Sequence, residues 1–207
     1  MKPFLLPLLF ALVISGHAAQ PAAIFDGKSF QGWEGDTTNT WRVAAAAITA
    51  GTLDKKVPRN EFICTTRGYT NFVLRLKVRL LGKEGFVNGG AQVRSQRIKN
   101  PPNEMSGYQA DIGPGWWGAL YDESRRNKIM AKPDDAVIKQ ALKPNDWNDY
   151  EVRCEGRRIR VLLNGAQTID YTEADEKLPQ FGLIGLQVHG GGQTEIAYKD
   201  ITVEELP

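Results

Sequence analysis

The chain has 207 residues, 42% of them hydrophobic, with 26 Lys and Arg against 24 Asp and Glu; the formal charge of +2 drops to +1 if Lys2 is removed. The basic residues are interleaved with acids, so the electrostatic footprint of a nucleic-acid-binding protein is not present. Two cysteines and a single histidine beyond residue 18 fall short of the four ligands a structural zinc site usually takes.

At the start, Lys2 precedes an apolar run over residues 4–14, and Gly16-His17-Ala18 supplies small residues where a signal peptidase reads. Residues 1–18 are expected to be a cleaved secretory signal, and the product periplasmic or secreted. The run is shorter than the roughly 20 apolar residues of a membrane span, and no later segment approaches that length. With no cysteine near the cut, a lipid anchor is not expected. Cleavage after Ala18 leaves 189 residues (207 minus 18), and without a repeat, low-complexity tract or composition break, residues 22–206 read as one domain.

Further along, strands read at period two. Residues 41–48 form a first candidate, and 72–80 the clearest, with Phe72, Leu74, Leu76, Val78 and Leu80 on one face and Arg75, Lys77 and Arg79 on the other. Next, Asn88, Gln92 and Arg94 lie opposite Ala91 and Val93. Residues 106–126 then gather four aromatics, three carboxylates, two arginines and four glycines. Within them, Gln109 and Asp111 lie opposite Tyr108, Ala110 and Ile112, while Trp116, Trp117, Tyr121, Asp122, Glu123, Arg125 and Arg126 follow closely. Glycines allow close backbone approach, aromatic faces suit sugar rings, and carboxylates accept hydroxyl hydrogen bonds or move protons. Residues 134–142 read as the one helix, opened by Asp134 and Asp135 and stopped by Pro144. Strands are then expected at 149–155, at 158–163 before the hairpin signal Asn164-Gly165, at 182–189 and at 196–204. In the third of these, Gln187 and His189 lie opposite Leu186 and Val188. Cys154 alternates with Tyr150 and Val152 towards a core, so Cys64 and Cys154 are expected as buried thiols, although an oxidising compartment would allow them to pair.

Many half-buried strands separated by turn signals point to an all-β sandwich of two antiparallel sheets. The polar rows of three strands carry amides, a carboxylate, a guanidinium and an imidazole where other strands carry solvated Lys and Arg. If those strands share a sheet, the rows form a floor suited to a polyhydroxylated ligand, whose hydroxyls both donate and accept; otherwise they are unrelated outer faces.

Five segments together carry a resemblance: Phe25-Asp26-Gly27-Lys28 with Gly32-Trp33, the run Asn88-Gly89-Gly90-Ala91-Gln92-Val93-Arg94, the block 107–126, Trp147-Asn148 leading to Asn164-Gly165, and Gly185-Leu186-Gln187-Val188-His189-Gly190. In order and spacing the chain resembles the 3-keto-disaccharide hydrolase family, formerly a domain of unknown function, whose members are concanavalin-A-like lectin/glucanase jelly rolls. Two departures stand out. Many relatives read Asn-Ser-Gly at Asn88-Gly89-Gly90, and some carry Tyr-Glu where this chain has Tyr108-Gln109-Ala110-Asp111.

The resemblance implies cleavage of glycosides already oxidised to a ketone at carbon 3, which makes the carbon-2 hydrogen acidic. A base removes it, an enolate forms, and the carbon-1 bond breaks as a proton reaches the leaving oxygen; water can then add back. Asp111, His189 and Glu123 are the candidate proton carriers. Arg94, Arg125 and a divalent metal are candidates for the enolate, with Asn88, Gln92, Tyr108, Gln109, Trp116, Trp117, Tyr121 and Gln187 as further substrate contacts. Of the adjacent Trp116 and Trp117, one is expected to pack and the other to face substrate. Direct hydrolysis by Asp111 and Glu123 would instead need carboxyls about 5–5.5 Å or about 6.5–9.5 Å apart. A non-catalytic carbohydrate-binding module and a protein-docking domain are the alternatives from other functional classes.

Overall fold

The structure is a computed structural model and describes residues 20–207; the expected signal segment lies outside the described residues. In chain order the elements are β1 (Ala22–Ala23), β2 (Trp33–Glu34), β3 (Trp41–Ala44), β4 (Ala47–Gly51), β5 (Glu61–Thr65), β6 (Phe72–Gly85), β7 (Gly89–Arg97), β8 (Met105–Ile112), β9 (Leu120–Glu123), β10 (Lys128–Ala131), α1 (Asp135–Ala141), β11 (Asn148–Glu155), β12 (Arg158–Leu163), β13 (Ala166–Thr172), β14 (Leu183–Val188) and β15 (Gly192–Glu205). One sheet runs β13-β12-β11-β6-β15-β4-β3, with β1 added beside β15, and the other runs β10-β9-β8-β7-β14-β5-β2. Every described pairing is antiparallel. This is the all-β sandwich with one short helix that the sequence pattern indicates.

The core between the sheets is built from the alternation itself. Leu74, Leu76 and Val78 of β6 and Val152 and Val161 of β11 and β12 meet Ala91, Val93, Ala110, Ile112, Leu186 and Val188 of the second sheet. The other face of β6 carries ion pairs, Arg75 to Glu151 and Glu204 and Lys77 to Asp149. Asp134 caps α1 by accepting from the Ala136 N–H, and Leu142 closes it through Ile138. Asn164 and Gly165, both left-handed, make the tight β12–β13 turn.

Two differences from the sequence pattern have clear causes. The expected strand 41–48 is a hairpin, because Ala45 and Ala46 take φ of +49° and +56° and turn β3 back onto β4. No Gly or Asn announces that turn. The strand expected at 72–80 continues to Gly85, since β15 pairs with it along its whole length. Cys154 lies between the sheets, whereas Cys64 sits on the far side of the second sheet with Phe62 and Met105. Both thiols are free, and burial pushes each up to about 12.

Candidate active site

The order β9-β8-β7-β14 brings the three expected polar rows onto one sheet. Gln92 stands opposite Gln109, and Gly90 stands between Asp111 on one side and Gln187 on the other. Because inward residues of these strands fill the core, Gln92, Gln109, Asp111 and Gln187 all turn to the opposite face, where each is nonetheless buried. Gly90 makes the arrangement possible. A Cβ there would lie 2.5 Å from Gln109 Cγ and Cδ, so only glycine lets the Gln109 amide cross β7 and reach β14.

The amides join two carboxyls. Gln109 Nε2 donates to Asp111 Oδ1 at 2.9 Å and to Gln187 Oε1 at 3.0 Å, and Gln187 Nε2 donates to Glu123 Oε2 at 3.4 Å. Gln92 Nε2 donates to Gln109 Oε1 at 3.3 Å and so fixes which way the Gln109 amide faces. Gln92 therefore braces the floor from the side, as the cross-strand neighbour of Gln109. Its own Oε1 is buried with no protein partner. Asp111 is held at the backbone as well: its carbonyl accepts from the Tyr150 hydroxyl at 2.6 Å and from Gly118 N.

Above this floor is a cavity of about 120 Å³. Asn88, Gln109, Asp111, Glu123 and His189 supply its polar lining, and Phe86, Trp116 and Tyr121 its aromatic wall. Larger clefts exist, one of about 530 Å³ near Lys55, Lys56 and Arg59, whose side chains are exposed. The small cavity is where buried acids, amides and an imidazole converge, which is the chemical signature of a working site.

Burial dominates the electrostatics. It raises the Asp111 carboxyl from 3.8 to about 7; the nearby Glu123 charge adds to this, and the Gln109 and Asn88 amides oppose it. Burial also raises Glu123 from 4.5 to about 7, helped by the charge of Glu104 and opposed by Gln187 and Ser124. Both carboxyls thus exchange protons near neutrality. His189 Nδ1 lies 2.7 Å from the Gly190 carbonyl, which can only accept, so Nδ1 carries the hydrogen. In the neutral ring that leaves a lone pair on Nε2. The His189 backbone is tied to Asn88 O, and the next N–H to Asn60 Oδ1.

Of the expected contacts, Gln92 and Gln187 are fully buried within the floor and do not line the cavity, and Arg94, Tyr108, Arg125 and Trp117 go elsewhere. Arg94 follows the polar alternation of β7 only until a bulge at Val93/Gln96, where its φ of +50° turns the side chain away. Its guanidinium donates to the carbonyls of Thr70 and Gly156 and the amide oxygens of Asn71 and Gln180. Tyr108 points into the core, and its hydroxyl donates to Glu173 at 2.6 Å. Arg125 lies over the Tyr108 ring and pairs with Asp122, the neighbour of Glu123 that faces the other way. Arg126 bridges Asp122 and Glu173 in the same buried network. Of the tryptophans, Trp117 packs into the core and Trp116 walls the cavity. No cation from Arg94 or Arg125 therefore faces the floor. Among the described residues, no group of three His, Cys, Asp or Glu side chains is arranged to hold a metal ion.

Two residues of the site escaped the sequence reading. Phe86, at the β6–β7 turn, is 40% exposed at the cavity wall; its signal was an isolated aromatic between Gly85 and the Asn88 motif. Glu104 lies in a loop with no periodicity, half-buried, with its carboxyl accepting from Ser124 Oγ at 3.4 Å and raising Glu123 by its charge. The serine that many relatives have at position 89 would not reach this cavity: a Cβ there meets Ile196 and the Tyr198 hydroxyl on the core side.

Sheet order, jelly-roll layering and an acid-and-amide floor define a lectin-like β-sandwich with a candidate site on one sheet face. The chain belongs to the 3-keto-alpha-glucoside-1,2-lyase-like domain family, whose profile matches residues 20–204. Similar solved structures include a candidate glycosyl hydrolase from Parabacteroides distasonis ATCC 8503, 19% identical with a TM-score of 0.66, covering 90% of this chain and 94% of that one. The carbohydrate binding module CBM66 from Bacillus subtilis is 15% identical with a TM-score of 0.64, covering 84% and 96%. A Bacillus subtilis protein of unknown function with a galectin-like fold is 9% identical with a TM-score of 0.66, covering 91% and 97%. At such identities these structures share the fold. No curated protein matches the sequence.

Proposed function

We propose that this protein cleaves glycosides oxidised at carbon 3, by removing the carbon-2 proton and eliminating the carbon-1 substituent, with water adding back where hydrolysis is the net result. The observation that carries the reading is the pair of carboxyls, Asp111 and Glu123, wired through Gln109 and Gln187 at one cavity and both raised by burial to about 7. His189, with its lone pair on Nε2, is the base for the carbon-2 proton. With no guanidinium at the floor, a protonated Asp111 donates to the enolate oxygen, a task neutral buried carboxyls perform in other enzymes. Glu123, less buried, gives its proton to the leaving oxygen. Asn88 and the amide floor take the remaining hydroxyls.

The test is incubation of the purified protein with methyl 3-keto-α-glucoside and with methyl α-glucoside, with and without a chelator. Release of methanol from the keto sugar alone supports the reading. Cleavage of the ordinary glucoside alone overturns the mechanism, and saturable binding without any product favours the carbohydrate-binding alternative.

A further inference from the structure

Phe86 is a large apolar side chain left 40% exposed beside a floor of acids and amides. A single exposed hydrophobe is ordinary, but this one is part of an arc. Its ring centroid lies 4.5 Å from that of His189 at 70°, and 6.2 Å from that of Trp116 at 82°; Trp116 in turn meets Tyr121 at 6.1 Å and 85°. The near-perpendicular Phe86 and Trp116 form a corner over the cavity and not a closed stack, so apolar surface of both remains available to a third body.

The corner is also held in place. Gly85 of β6 pairs with Gly192 of β15, and the backbones touch so closely that a Cβ on Gly85 would lie 2.2 Å from Gly191 O, and one on Gly192 2.4 Å from Phe86 O. The turn bearing Phe86 and the turn following His189 are therefore locked together, which fixes the backbone that carries the phenyl ring relative to the backbone that carries the imidazole.

We propose that Phe86 and Trp116 form an aromatic cradle that grips the C–H face of the substrate's pyranose ring and sets the carbon-2 hydrogen against His189. The assignment rests on the sugar-cleaving reading above and makes Phe86 a specificity-determining residue for it. A pyranose has an apolar face of C–H groups and a hydroxyl rim; the corner fits the first and the Asn88, Asp111 and Glu123 floor fits the second. A ketone at carbon 3 flattens the ring there, which improves its fit against a flat aromatic surface.

The experiment measures binding of methyl 3-keto-α-glucoside by titration calorimetry in a His189→Ala background, where the base is gone and turnover is blocked, with Phe86→Ala, Phe86→Leu, Phe86→Tyr and Phe86→Trp added singly. The cradle predicts that Ala and Leu each weaken binding about tenfold, or about 1.4 kcal/mol, while Tyr and Trp stay within about threefold of Phe. Thermal melting of each variant separates lost binding from lost fold. Folded Ala or Leu variants that bind as tightly as Phe overturn the cradle even if wild-type turnover is intact. Binding that depends on a flat residue at position 86, in a protein whose wild type forms no product, upholds the cradle and removes the catalytic reading.

Discussion

Replacing Asp111 by Asn should stabilise the folded protein at neutral and alkaline pH while slowing turnover, because a weaker amide donor replaces the carboxyl at the enolate oxygen. Burial raises this carboxyl from 3.8 to about 7. A carboxyl whose folded-state pKa is raised contributes stability that is fully present below the unfolded value and is lost as pH rises towards the folded one. Between about pH 4 and pH 7 the unfolded chain ionises freely while the folded chain holds the proton, so the wild type should lose on the order of 4 kcal/mol, at about 1.4 kcal/mol per tenfold change. Asn has the same shape, can accept from Gln109 Nε2, and does not ionise. Urea unfolding at pH 4 and pH 8 for both proteins measures this directly. The wild type should weaken more than the variant between the two conditions, by a margin of kilocalories. An identical pH dependence in the two proteins would refute the claim that Asp111 is held protonated by its surroundings.

Other expectations follow from the same geometry. Turnover of the keto sugar should fall as pH rises through about 7, because Asp111 and Glu123 then lose the protons they are proposed to donate; a kcat profile that climbs from pH 7 to pH 9 would contradict that. Arg94→Met should destabilise the protein by about 3 kcal/mol, since four acceptors lose a buried charged donor, while KM measured below the melting point stays unchanged. Replacing Ala45-Ala46 by Asn-Gly should raise stability by about 1 kcal/mol, as both positions already have positive φ; calorimetry should show Tm rising by about 2–4 °C.

The floor was legible because alternation at period two sorts a strand's residues onto faces without any knowledge of the partner strand. That rule correctly separated Gln92, Gln109, Asp111 and Gln187 from Ala91, Ala110 and Leu186. It failed where backbone conformation breaks the period. Arg94 obeys the alternation in sequence, yet a bulge with positive φ redirects it. Ala45 and Ala46 turn where residue type gives no warning. Adjacent acids were inseparable without the register: Asp122 opposes Tyr108 and joins the arginines, whereas Glu123 opposes Gly107 and faces the amides. The reach of Gln109 across Gly90 depends on which strand lies between β8 and β14, a long-range fact that local pattern does not contain. Phe86 and Glu104 lie on connections, where no periodicity assigns a direction.

In the proposed reaction one cavity takes a proton from carbon 2 and returns one to the departing oxygen. Running the reaction with methyl 3-keto-α-glucoside in D₂O and examining the sugar product by mass spectrometry and NMR shows whether the carbon-2 proton is removed. The wild-type product should keep no protium at carbon 2, which carries deuterium where water has added back and is an unsaturated carbon where elimination ends the reaction, and His189→Ala should give neither product nor exchange. Cleavage by the wild type that leaves the original hydrogen on carbon 2 would contradict it.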